Sequence, residues 1–266
     1  MPENDKLRLP TLPLCLFFAS AMAIAAGGTV CAAQGRDPGS YYARANTLGI
    51  VGAYSWDSSH MLLGAATNRE LLNIGISYSR RLLMNRVVNW QYDGELLPIA
   101  LESDPTATQF VQYSGPNGGS ASYNLGAQLI TCTPLTMTFS ASEGPGGTPV
   151  SYTATDYCSG REWTVGQSIS PIGMQWNFLP GRRIQSLLEG HGGYMYSTRP
   201  IPIVSAGSFN FTFDIGAGFE IFHSNLNSIR IEYRYHHISN HYTATTNPGI
   251  DSGLAQLTYC FRLGRK

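Results

Sequence analysis

The sequence predicts an all-β protein, an eight-stranded antiparallel transmembrane β-barrel. Three observations support this prediction. Segments of alternating apolar and polar residues recur along the chain, each about ten residues long, as in strands that cross a membrane. Charged residues make up only 13% of the 266 residues, and short connections between the segments alternate with long ones. In a membrane barrel the apolar face of each strand contacts lipid and the polar face lines the lumen.

Each of the eight predicted strands carries its apolar residues on one face. In chain order these residues are Leu48, Ile50, Tyr54 and Trp56; Leu72, Ile74, Ile76 and Tyr78; Val88, Trp90, Tyr92 and Leu96; Ile172, Met174, Trp176 and Phe178; Ile184, Leu188, Tyr194 and Tyr196; Phe209, Phe211, Phe213, Ile215, Phe219 and Ile221; Ile229, Ile231, Tyr233 and Tyr235; and Ala255, Leu257, Tyr259, Phe261 and Leu263. From the second strand on, the opposite face carries polar residues, such as Asn73 and Ser77 in the second strand and Asn210 and Thr212 in the sixth. In the third strand they include Asp93 and Glu95, which would be costly to bury in a soluble core.

The connections place the two ends of the barrel. Tight connections join the second and third, fourth and fifth, and sixth and seventh strands, as periplasmic turns do, so the longer connections are expected outside the cell. The longest, at about 98–166, is predicted to be an extracellular insert of the barrel domain 34–266. Parts of it, 123–131 and 135–140, could also form strands. A ten-stranded barrel is therefore the alternative architecture.

The N-terminus resembles a secretory signal. Lys6 and Arg8 precede an apolar run at 12–26, and small residues follow at 31–33. We expect residues 1 to about 33 to be removed on export. The alternative, an N-terminal membrane anchor, fits less well, because the run is shorter than the roughly 20 residues of a spanning helix. The predicted location is the bacterial cell outer membrane.

Three cysteines remain after the predicted signal. Cys132 and Cys158 both lie in the longest connection, and export permits disulfides. We therefore predict a Cys132–Cys158 bridge, which would stabilise the chain by about 3–4 kcal/mol in the chain-entropy model. Cys260 lies in the eighth predicted strand, where we expect a small buried side chain.

The composition also bears on partners and cofactors. The formal net charge is zero, which argues against nucleic acid as a partner. The sequence has no His/Cys cluster with metal spacing and no glycine-rich phosphate loop, so we expect no metal and no cofactor.

The seventh predicted strand and the start of the eighth carry a set of groups suited to ester hydrolysis. His237 and Ser239 share the apolar face, and antiparallel pairing would bring Asp251 roughly opposite His237. A serine hydroxyl needs a neighbouring base, the base needs a carboxylate, and the oxyanion needs hydrogen-bond donors, which Asn240 and Asn247 could supply. These groups would meet on the lipid-facing wall near the outer leaflet.

Each of these residues also has a purely structural interpretation, which spacing alone favours. His237 could belong to an interfacial belt of polar-tipped rings, Ser239 and Asn240 could start a turn, and residues 247–249 have turn chemistry. His236 is the rival base, but strand alternation points it into the barrel, where we expect a structural role.

A resemblance to a known family favours the catalytic interpretation. His-x-Ser-Asn at 237–240, followed by Asn-x-Gly-Ile at 247–250 and then an acid, resembles the signature of the outer-membrane lipid A 3-O-deacylases, often called acyloxyacyl hydrolases. The likeness covers about 169–262. It implies an eight-stranded barrel with His237, Ser239 and Asp251 as the catalytic triad and Asn240 and Asn247 near the oxyanion. The family's acid is often Glu, and Asp251 is one methylene shorter.

The resemblance implies a serine esterase that removes an ester-linked acyl chain, at the 3-O position, from lipid A. Its partners would be lipopolysaccharide and the surrounding outer-membrane lipid, and the oligomeric state is left open between a monomer and a homodimer. The main alternative is a non-enzymatic barrel, an adhesin or structural protein, which would keep the fold without the triad. A less favoured alternative is an acyl-transfer enzyme with the same nucleophile.

Overall fold

The structure is a computed structural model that describes residues 41–58, 61–115, 118–126, 130–131, 135–143 and 148–264. The predicted signal at 1–33 lies outside the described residues, so it remains a prediction. Within the described ranges, no helix has the length and apolar character needed to cross a membrane.

The described chain is all β, and eight of its strands close an antiparallel barrel. The strands are β1 (Asn46–Ser55), β2 (Glu70–Met84), β3 (Val88–Ser114), β4 (Gly119–Gly126), β5 (Leu135–Glu143), β6 (Thr148–Phe178), β7 (Ile184–Ser197), β8 (Phe209–Phe222), β9 (Asn227–Ser239) and β10 (Ile250–Arg262). The sheet order is β4-β3-β2-β1-β10-β9-β8-β7-β6-β5, and an additional β3–β6 pairing closes the ring. The predicted fold class is confirmed.

The two extra strands belong to an extension of the barrel wall. β3 and β6 remain paired far beyond the other strands, from Val88 opposite Phe178 to Ser114 opposite Ser151. β4 pairs only with the far part of β3, and β5 only with the far part of β6. Of the two segments that could form strands, 135–140 lies within β5 and the first four residues of 123–131 lie within β4, and neither strand enters the closed ring. Much of the segment predicted as an insert, 98–166, is extended strand.

The alternation predicted from the sequence separates lumen from lipid. Along β8, exposed residues alternate with buried ones except at half-buried Gly218, and exposed Phe211 and Phe213 lie on either side of buried Thr212. In β9, Arg234 is buried whereas Tyr233 is 60% exposed. Polar groups inside and apolar groups outside are the pattern of a membrane barrel rather than of a soluble sheet.

Ion pairs fill the lumen. Both outer nitrogens of Arg234 donate to Glu95, each at 2.9 Å, and Arg230 contacts Asp93 at 3.1 Å. All four side chains are almost fully buried. Buried charges are tolerated when they are paired in this way, and removing one partner usually costs several kcal/mol. The network therefore gives the barrel a rigid interior.

An apolar cluster lies beneath the long connections, at the end of the barrel opposite the tight turns. Its members are Ala66, Leu71, Ala100, Met195, Ile201, Ile238, Ile250 and Leu254. Ile238 and Ile250 pair directly across β9 and β10, and both are buried. The cluster therefore anchors the inner face of the β9–β10 hairpin, whose opposite face carries the predicted site.

The cysteines divide between described and undescribed parts of the chain. Cys260 is buried, as predicted, and its sulfur accepts a hydrogen bond from Arg230 Nε at 3.1 Å. Cys158 lies in β6 opposite Ala107. Cys132 lies outside the described residues, so the Cys132–Cys158 bridge remains a prediction.

Candidate active site

The β9–β10 hairpin brings the predicted acid and base together. His237 is the third-last residue of β9, Asp251 is the second residue of β10, and the two are direct partners in the ladder. Directly paired residues of an antiparallel sheet project to the same face. Both side chains therefore point away from the lumen, which is the arrangement that the sequence predicted.

His237 and Asp251 are joined by a hydrogen bond. His237 Nδ1 lies 2.7 Å from Asp251 Oδ1, so the shorter acid reaches the imidazole. The carboxylate is fully buried, whereas 13% of the His237 side chain is exposed. The contact through Nδ1 leaves Nε2 directed elsewhere, as a base needs if it is to take a proton from a nucleophile.

The Asp251 carboxylate has three further partners, which the sequence analysis missed. Tyr235 Oη donates to Oδ1 at 2.8 Å. The backbone amides of Leu62 and Leu63 donate to Oδ2 at 2.7 and 2.8 Å. Hydrogen bonds to a carboxylate favour its charged form. Alternation does place Tyr235 on the His237 face, but amides from a distant loop have no side-chain signature in a sequence.

Ser239 is two residues from His237 on the same face, but its hydroxyl is turned to another partner. Ser239 Oγ donates to Asn247 Oδ1 at 3.0 Å and accepts from the His241 amide at 3.3 Å. Among the described side chains, no hydrogen bond joins Ser239 to His237. Catalytic hydrogen bonds are often loose without substrate, and a rotation about the Ser239 Cα–Cβ bond would redirect the hydroxyl.

The two predicted oxyanion residues have different environments. Asn240 is buried, and its side-chain nitrogen donates to the carbonyls of Ala206 and Thr246. Its side-chain N–H donors are therefore already used in hydrogen bonds that fix the β9–β10 connection. Asn247 is half-buried, and its Oδ1 accepts hydrogen bonds from Ser239 Oγ and from the backbone amide of Asn240. Within the described part of the chain, its side-chain nitrogen makes no hydrogen bond.

Gly249 packs directly against the imidazole. A Cβ on this residue would lie 3.2 Å from His237 Cε1, and the backbone has a φ of +62°. Only glycine adopts that conformation at little cost. The glycine of the Asn-x-Gly-Ile motif therefore lets the connection close over His237.

His236 occupies the other face of β9. It is buried, and its Nδ1 hydrogen-bonds to Asp214, a lumen residue of β8. The structural role expected for His236 agrees with this partner, because the ring is on the opposite side of the strand from Ser239.

One group in the described part of the chain has the geometry to hold a metal ion. Asp93, Glu95 and His191 offer ligand atoms within 4.8 Å of one another. They come from β3 and β7, so no local spacing announces them in the sequence. Arg230 and Arg234 already contact the two carboxylates and supply the positive charge that these acids need. We assign the trio to the lumen network.

Comparison with a protein-family model gives a match over residues 136–259, and the family is described as lipid A 3-O-deacylase (PagL). The resemblance predicted from the motif is thereby confirmed. The matched range contains all five predicted site residues and begins inside the segment predicted as an insert. A search of curated proteins found no match.

Solved structures of outer-membrane proteins give low similarity scores. The outer membrane enzyme PagL is 13% identical, with a TM-score of 0.45 over 81% of this chain and 99% of that chain. Neisserial surface protein A is 12% identical, with a TM-score of 0.38 over 82% and 97%. An outer membrane channel from Pseudomonas putida F1 is 12% identical, with a TM-score of 0.25 over 85% and 99%.

Proposed function

On the premise that this outer-membrane barrel is a relative of the lipid A 3-O-deacylases, we propose that it is a serine esterase that hydrolyses an ester-linked acyl chain of lipid A. The bond cleaved is the 3-O ester, and the substrate is lipopolysaccharide of the outer leaflet. The observation that carries the proposal is the hydrogen-bonded pair of His237 and Asp251 on the outward face, two residues from Ser239. A structural barrel has no need of this pair.

Ser239 is the nucleophile in this proposal. Its hydroxyl turns from Asn247 toward His237 and attacks the ester carbonyl, while His237 Nε2 takes its proton. The tetrahedral intermediate then collapses, and His237 returns the proton to the departing 3-hydroxyl of the sugar. Water, activated by the same imidazole, releases the fatty acid from Ser239. Asp251 holds the imidazole through Nδ1 and stabilises the imidazolium that forms in each step.

Asn247 is the better candidate for the oxyanion donor. Its side-chain oxygen accepts a hydrogen bond from Ser239 Oγ at 3.0 Å, which places its side-chain nitrogen near the nucleophile. That nitrogen makes no hydrogen bond in the described structure. One such donor is worth about a hundredfold to a thousandfold in rate where it has been measured in other hydrolases. Asn240 would have to give up its bonds to Ala206 and Thr246 to serve in the same way. We therefore assign Asn240 an indirect role, in which its hydrogen bonds keep the β9–β10 connection in place beside the site.

The lipid-facing position of the site suits a membrane-embedded substrate. Phe211 pairs with Ser239 and Phe213 pairs with His237, so two exposed aromatic rings flank the reacting groups. A fatty acyl chain can contact these rings without leaving the membrane, and its ester meets the nucleophile at the end of the strand. A water-soluble ester would gain nothing from this placement.

The test is mass spectrometry of lipid A from cells that express the wild-type chain or Ser239→Ala. We expect lipid A that has lost one ester-linked acyl chain only with the wild type. Both proteins should show the heat-modifiable gel migration of a folded barrel. Equal deacylation by Ser239→Ala, or none by the wild type in a membrane that carries lipid A with the 3-O chain, would contradict the proposal.

A further inference from the structure

Each carboxylate oxygen of Asp251, the acid of the proposed triad, accepts two hydrogen bonds. Oδ1 of Asp251 accepts hydrogen bonds from His237 Nδ1 at 2.7 Å and from Tyr235 Oη at 2.8 Å. Oδ2 accepts hydrogen bonds from the backbone amides of Leu62 and Leu63, at 2.7 and 2.8 Å. A carboxylate with donors on both oxygens cannot turn about its Cβ–Cγ bond without breaking two of them. Its plane, and with it the contact to His237, is therefore fixed.

Tyr235 is not an ordinary interfacial tyrosine. Tyr233 lies two residues earlier on the same face of β9, is 60% exposed, and makes no hydrogen bond through its hydroxyl within the described structure. Tyrosines of that kind are common where a barrel meets the membrane interface. The Tyr235 hydroxyl instead lies against Asp251, next to the imidazole contact. The two tyrosines thus form a natural pair for comparison.

The loop that supplies the amides is fastened to the site. The Ala65 amide donates to Pro248 O at 2.6 Å, and the Ala66 amide donates to Gly249 O at 3.0 Å. Ala66 also bridges to Ile250 in a parallel arrangement. The β1–β2 connection therefore runs alongside the residues that lead into β10. Its attachment uses backbone groups, while the side chains of Leu62 and Leu63 remain exposed.

Gly64 makes this close approach feasible. A Cβ at this position would lie 2.5 Å from the Asp251 amide nitrogen and 2.8 Å from the carbonyl carbon of Ile250. Both are backbone atoms of the sheet, which cannot move aside. Any side chain at 64 would consequently push the loop, and the two amides with it, away from the carboxylate.

We propose that Tyr235 and the amide turn at 62–64 form a positioning element that orients Asp251 toward His237. The inference rests on the proposed esterase function and deepens it. In this proposal both parts act through the Asp251 carboxylate, to which they donate, and not on the substrate itself. An orienting role predicts slower chemistry with unchanged substrate binding, because the acid supports the imidazolium only as the transition state forms.

The test compares Tyr235→Phe with the control Tyr233→Phe, using purified protein and lipid A in mixed detergent micelles. A hydrogen bond to a charged group is commonly worth enough to change a rate about tenfold or more. We expect Tyr235→Phe to lower kcat by about that factor with KM unchanged, and Tyr233→Phe to match the wild type. Gly64→Ala should lower kcat further, whereas Gly52→Ala should not, because a Cβ at Gly52 meets nothing within 4 Å.

A double-variant comparison separates positioning from a general loss of stability. In an Asp251→Ala background the hydroxyl of Tyr235 has no carboxylate to orient, so adding Tyr235→Phe should change kcat by less than about twofold. Wild-type kcat in Tyr235→Phe, or an equal loss with and without Asp251, would overturn the inference. That failure is distinct from failure of the esterase proposal, in which Ser239→Ala would be as active as the wild type.

Discussion

Asp251 lies directly opposite His237 in the β9–β10 ladder, and their side chains are joined by a 2.7 Å hydrogen bond on the outward face of the barrel. The pairing follows from the register of two strands whose inner faces are locked by Ile238 and Ile250. A slip of either strand by one residue would turn its own group to the other face of the sheet and separate the pair. The geometry of the site is thus a direct consequence of strand register.

The two adjacent histidines should differ in their effect on catalysis. His237→Ala removes the proposed base, and we expect ester release to fall by several orders of magnitude while the barrel still folds. His236→Ala leaves the buried Asp214 without its partner, so it should lower stability by about 1–3 kcal/mol and spare the rate of the folded enzyme. Deacylation of lipid A and thermal unfolding, measured on both variants, check the prediction. A more active His237→Ala than His236→Ala would contradict it.

Removing the charge of Asp251 should be less damaging than removing the nucleophile. Asp251→Asn keeps a hydrogen-bonding side chain but cannot stabilise the imidazolium. Other triads lose about 10⁴-fold without the acid and about 10⁶-fold without the serine, and we expect the same order here. The double variant of Ser239→Ala and Asp251→Asn should be no slower than Ser239→Ala alone, since the residues act as a unit. Rates of fatty acid release from lipid A test both statements, and a further loss in the double variant would argue against a shared mechanism.

The orientation of β9 can be tested in membranes. A fluorescent label on a single cysteine that replaces Tyr233 or Tyr235 should be quenched by lipid-borne quenchers. A label on a cysteine that replaces Glu232 or Arg234 should be shielded from them, because these two side chains are buried in the lumen. Cysteine at Ile231, also exposed, serves as a positive control. The reverse pattern of quenching would mean that the strand is rotated and that His237 and Ser239 face inward.

The predicted Cys132–Cys158 disulfide should be present in exported protein. Non-reducing peptide mapping is expected to recover the two cysteines in one linked fragment and Cys260 as a free, buried thiol. Reduction should loosen the extension built by β3, β4, β5 and β6 and leave the eight-stranded ring folded, because the bridge closes a loop outside the ring. Limited proteolysis with and without reductant measures that difference. A free thiol at either position in the exported chain would refute the pairing.

The alternation of side chains was enough to predict which face of each barrel strand meets lipid. A strand has a period of two, so a run such as 209–215 assigns each residue to a side without knowledge of its partners. The same rule placed His237 and Ser239 together and His236 opposite. The acid followed from counting back along the last strand, because the partner of His237 depends only on the length of one hairpin.

Other features depend on contacts between distant parts of the chain and were decided by the tertiary structure alone. The long pairing of β3 with β6 joins segments separated by the whole predicted insert, and local periodicity does not reveal such a register. The amides of Leu62 and Leu63 reach Asp251 from a connection nearly 190 residues away, and every residue except proline carries the same donor. Alternation therefore specified the faces of the barrel and placed His237 and Tyr235 beside the acid, whereas the two backbone donors to Asp251 belong to a distant loop that no side-chain pattern can encode.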